Sequence, residues 1–94
     1  ANGIFGYGWD GSYVSATNLV SNVGVVSTDV SGVGTARSEL AATQYGGDKG
    51  IFGYGDVSGS SSSLTNLVSN VGVVASDVTG VGTTRKGLAA CSFN

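Results

Sequence analysis

The hexapeptide "GIFGYG" stands at residues 3–8 and again, unchanged, at residues 50–55. "TNLVSNVGVV" (17–26) recurs whole at 65–74, "DVSGVGTAR" (29–37) returns as "DVTGVGTTR" (77–85), and "LAATQY" (40–45) returns as "LAACSF" (88–93). The chain is one unit written twice, with repeat A over about 1–46 and repeat B over about 47–94. A period in this range is the mark of stacked or ring-forming repeats. The offset is 47 at the hexapeptide and 48 from Thr17 onward. The extra residue therefore falls where "WDGSYVSA" faces "DVSGSSSSL", a polar stretch that predicts a surface turn.

The composition points to units built from strands. The 94 residues include 17 Gly, with many Ser, Thr and Val and no Pro, His or Met. Valine and threonine favour strands, and glycine at this density breaks helices. Four β segments are expected per period, first seen as Gly3–Gly8, Ala16–Ser21, Val25–Val30 and Glu39–Tyr45. Asn22-Val23-Gly24 reads as a tight turn, Gly32-Val33-Gly34 as part of a longer return, and "GGDKG" as a hairpin turn. An antiparallel meander of four strands is one propeller blade.

In circular order, Phe93-Asn94 followed by Ala1-Asn2-Gly3 reads "FNANG", close to the internal junction "YGGDKG". The expectation is a two-blade unit cut between the first and second strands of a blade. Two blades leave outer faces uncovered and strand edges open, which cyclic homo-oligomerisation would cover. A six-bladed homotrimer is favoured over a dimer or tetramer. The first "GIFGYG" would then pair with Leu88–Phe93 of a neighbouring chain.

The stretch "TARSELAATQYGGDKGIFGYG" (35–55) resembles a kelch repeat: an arginine, an apolar strand, a tight turn, then a strand ending in glycines. In place of the kelch double glycine stand Gly6-Tyr7-Gly8 and Gly53-Tyr54-Gly55, and the tryptophan of the kelch fourth strand is absent. The resemblance spans both repeats and implies a β-propeller. The "GIFGYG…TNLVSN…GVGTAR" wording is also similar to uncharacterised environmental and viral repeat proteins, which imply no function.

Several function classes are disfavoured. A net charge of −2 from six acids and four bases gives no footprint for nucleic acid or an anionic membrane. The apolar runs are far short of a membrane span. With no His and the single Cys91, no metal site or cofactor is expected, and no intrachain disulfide can form. Gly3-x-x-Gly6-x-Gly8 lacks both the spacing and the following helix of a phosphate loop. Cys91 faces Thr43 in the other repeat and reads as a small buried hydrophobe.

Only two charged positions occur in both copies, Asp29/Asp77 and Arg37/Arg85. One reading makes them structural Asp–Arg pairs within or between blades, suited to the forked guanidinium. The other makes Arg37 and Arg85 part of an anion-binding ring at a channel mouth. Trp9 and Tyr13, on one turn, are the candidate aromatic platform for a glycan or protein ligand. The function expected is a non-enzymatic binding or structural propeller module. Alternatives are a purely structural ring with no ligand and, last, an acid–base hydrolase or lyase using Asp29 and Asp77.

Overall fold

The computed structural model describes residues 2–93, so the Asn94–Ala1 junction lies outside the described residues. The fold is all-β, with two small antiparallel sheets. β1 (Gly3–Trp9) pairs with β2 (Tyr13–Val20). β3 (Ala41–Tyr45), β4 (Lys49–Val57) and β5 (Ser60–Val68) form the second sheet in that order. In repeat order, β1 and β4 are twins, as are β2 and β5.

The hexapeptide builds a bulged strand. Pairing slips between Gly6 and Gly8 in β1 and between Gly53 and Gly55 in β4. The tyrosine inside each slip takes a left-handed conformation, with φ of 63° at Tyr7 and 64° at Tyr54. A bulky residue there is strained, by roughly 1–2 kcal/mol, and the bulge re-aims its side chain. Each phenol then donates to the return loop of its own repeat, Tyr7 to the Val33 carbonyl (2.7 Å) and Tyr54 to the Val81 carbonyl (2.8 Å).

The one-residue difference between the copies falls in a hairpin turn, as the offset implied. Trp9 and Tyr13 are paired across three residues, whereas their twins Asp56 and Ser61 are separated by four. In repeat B the reversal is the two-residue Ser58-Gly59 turn, both residues at positive φ, a geometry matched to strand twist. The "GGDKG" hairpin forms as expected, closing with Tyr45 opposite Lys49. At Asn22-Val23-Gly24 the Ser21 hydroxyl caps the turn, accepting from the Val23 and Val25 amides (3.3 and 3.1 Å).

Three strand expectations change. β2 starts at Tyr13 rather than Ala16, because pairing resumes beyond the bulge. Val25–Val30 is not a regular strand: it meets β2 at two isolated bridges, Val20–Val26 and Thr17–Val30. The cause is a side chain in the ladder. Asn18 reaches across and donates to the Ser27 carbonyl (3.1 Å) and the Asp29 carboxylate (2.7 Å), stapling the bulged segment. Asn66 does the same in repeat B, to the Ala75 carbonyl (3.2 Å) and Asp77 (2.9 Å). The third change is at Leu88–Phe93, which forms no strand.

The core lies where the repeats meet. Tyr7, Phe52, Val68 and Val74 form it, with Ile4 and Leu40 packed alongside. The copies are thus unequal despite their shared sequence. Phe52 is 5% exposed while its twin Phe5 is 64% exposed, and Val74 is 8% exposed while its twin Val26 is 52% exposed. Repeat B is covered by repeat A on the face that repeat A leaves open.

Candidate functional site

The boundary between repeats is the most elaborate polar arrangement in the molecule. Arg37 leaves the end of the return loop of repeat A and is fully buried. Its guanidinium stacks over the Tyr7 ring, 4.7 Å from the centroid. One nitrogen donates to the Thr35 carbonyl (3.2 Å), the other to the Asn66 side-chain oxygen of repeat B. Asp77 of repeat B lies 3.7 Å away. Tyr7 packs its ring against Phe52 at 5.1 Å and 60°.

Asp77 is held from both sides of the boundary. Its oxygens accept from the Thr35 hydroxyl (2.6 Å), the Thr35 amide (3.1 Å) and Asn66. Desolvation would raise its pKa, but these hydrogen bonds and the Arg37 charge outweigh it and hold the carboxyl below its ordinary value. Gly6 completes the fit. A Cβ there would come within 2.8 Å of the Phe52 ring.

The repeated Asp–Arg pair is therefore an inter-repeat pair, Arg37 with Asp77. Arg37 does not stand at an open mouth, since burial and its bonds enclose it. Arg85 is exposed, stacks over Tyr54 at 4.3 Å and donates to the Thr83 carbonyl (3.0 Å). Asp29 keeps its Asn18 bond. Among the described residues, Arg85 and Asp29 have no ion-pair partner.

Trp9 and Tyr13 come together edge to face, with centroids 5.0 Å apart at 80°. Trp9 is 62% exposed. The Tyr13 hydroxyl donates to the Asp56 carboxylate (3.1 Å), which latches the β1–β2 turn onto repeat B. The aromatic pair and the two arginines form separate places in the fold rather than one site. A cleft of about 540 Å³ opens between the sheets, with Ile4, Leu19, Ile51 and Phe52 on its walls. Asp48 lies at this cleft, bonded to Lys49 (3.0 Å) and Asn70 (3.2 Å). Cys91 is exposed, not buried as its sequence context implied.

Sequence reasoning passed over two members of the boundary cluster, Tyr7 and Thr35. The available signal was duplication, since each has an identical twin (Tyr54, Thr83). No protein-family model matches this chain, and no curated protein matches it.

Proposed function

We propose that this chain is a two-blade subunit of a kelch-like β-propeller, completed by further copies and acting as a non-enzymatic binding or structural module. One observation carries the reading. β4 is flanked by β3 and β5, whereas its twin β1 has only β2 beside it. The twin of β3, Leu88–Phe93, has no strand partner among the described residues. A second copy supplies the missing neighbour, and main-chain hydrogen bonds across the seam would close the edge.

The closed assembly proposed is a homotrimer of six blades. Light scattering on a sizing column tests it, with a single species of three times 9.2 kDa expected. Twice or four times that mass keeps the propeller with four or eight blades. A stable one-chain species refutes the reading.

A ligand reading is favoured by the exposed Trp9 and its edge-on partner Tyr13, an apolar platform beside hydroxyl groups of the kind that saccharides contact. Loss of glycan binding on Trp9→Ala, with assembly mass unchanged, supports it. Absence of binding by the wild-type ring across a glycan panel leaves the purely structural ring. The hydrolase alternative is weakened by Asp77, whose oxygens are engaged by Thr35 and Asn66.

A further inference from the structure

The open face of repeat A and the open face of repeat B are the two halves of one lock. Inside the chain, the donor half is Tyr7, Thr35 and Arg37 of repeat A. The acceptor half is Phe52, Asn66 and Asp77 of repeat B. Their twins occupy the outer faces of the chain. Tyr54, Thr83 and Arg85 lie on the outer side of repeat B, and Phe5, Asn18 and Asp29 on the outer side of repeat A.

Both outer halves are already set in the conformation that the inner lock uses. Arg85 stacks on Tyr54 and donates to the Thr83 carbonyl, as Arg37 does with Tyr7 and Thr35. Asn18 holds Asp29 as Asn66 holds Asp77. The Phe5 ring is 64% exposed where Phe52 is covered. Groups held in place before docking lose little freedom on binding. The charges are complementary, a lone guanidinium on one face and a lone carboxylate on the other.

Resting on the self-assembly reading, we propose that these faces join head to tail between copies. Arg85 of one chain enters the second copy's front face and donates to its Asn18, beside its Asp29. The Thr83 hydroxyl donates to that Asp29, and Tyr54 packs against the second copy's Phe5. Main chain follows side chain: Ser38 pairs with Asp56 at the inner boundary, so Lys86 pairs with the second copy's Trp9. The contact is heterologous, joining two different patches, so each chain uses both faces and the series ends only when the ring closes.

Heterologous docking has a distinctive test, because a chain blocked on one face still carries the other intact. Arg85→Ala spoils the donor face, and Asp29→Lys spoils the acceptor face. Neither touches the inner Arg37–Asp77 lock. Phe5→Lys serves as a second acceptor-face variant, in case loss of Asp29 loosens the Asn18 staple. Each variant alone is expected to run at one-chain mass, its self-association weakened on the order of 100-fold or more. An equimolar mixture of a donor-face and an acceptor-face variant should give a two-chain species that grows no further.

If wild type assembles and these variants assemble equally well, the lock is wrong while self-assembly stands. The lock is equally wrong if the mixture gives no two-chain species. If wild type is itself a one-chain species, both the lock and the self-assembly reading fall.

Discussion

Phe52 and Phe5 carry the same side chain at twin positions, and their substitution by alanine should have sharply different costs. Phe52 is 5% exposed and lies 5.1 Å from the Tyr7 ring, with the Gly6 backbone pressed against its edge. Removing a buried phenylalanine costs about 3–5 kcal/mol, part of it the aromatic pair. At about 4–8 °C per kcal/mol for a domain this small, Phe52→Ala should lower Tm by roughly 12 °C or more. Phe5 is 64% exposed, so Phe5→Ala in the dissociated chain should stay within about 0.5 kcal/mol of wild type. Assembly changes the second figure only. Where the seam forms, Phe5 enters the environment that Phe52 already has, and its truncation should approach the cost of Phe52→Ala. The assay is thermal and urea denaturation of both variants across a concentration series, since association stabilises the folded chain by mass action. Equal costs in dilute solution, or a Phe5→Ala cost that never rises with concentration, would refute the reasoning.

Gly6→Ala forces a methyl group to within 2.8 Å of Phe52 and 3.1 Å of Thr17, and should cost about 1–3 kcal/mol in urea denaturation. Gly53→Ala meets only the Thr65 methyl at 3.3 Å, and should be milder in the dissociated chain. Asn66→Ala strips the buried Arg37 guanidinium of a partner and releases the staple on Ala75, which should cost about 3 kcal/mol or more. The same denaturation series on Asn18→Ala in the dissociated chain should show a much smaller loss, because within one chain no guanidinium depends on it. Asp77 has a folded-state pKa below its unfolded value near 3.9. Its contribution is therefore full above about pH 5 and is lost as pH falls through the folded pKa. Urea midpoints measured down through that range should decline for wild type, and the decline should be shallower in Asp77→Asn.

The repeat, the strand content and the turns were legible because they are local. Glycine and asparagine positions announce the turns, and the shift in offset marked the one hairpin whose length differs. The irregularity of Val25–Val30 was not legible. It arises when Asn18 inserts its amide into a ladder that valines would otherwise continue, and asparagine in such a context reads equally well as a turn residue. The boundary cluster was half visible. Charge repetition singled out Arg37 and Asp77, but their partners Tyr7, Thr35 and Asn66 are uncharged and gain meaning only from packing. Nor can identical repeats reveal which copy is covered. That asymmetry belongs to the three-dimensional arrangement, in which the same Phe is core in one repeat and surface in the other.

The pairing of Leu88–Phe93 with β1 of a neighbouring copy is the claim on which assembly rests, and the sole native thiol makes it directly measurable. Inside the chain Thr43 stands opposite Ile51. The twin register sets Cys91 of one chain opposite Ile4 of the next. Opposed residues in an antiparallel pair have Cα atoms about 4.5–5.5 Å apart, within disulfide range. Mild oxidation of Ile4→Cys should therefore produce chains linked to one another, seen on a non-reducing denaturing gel as a ladder that stops at the ring size and collapses with reductant. A monomeric band, whether uncrosslinked or closed on itself by an internal disulfide, would contradict the account.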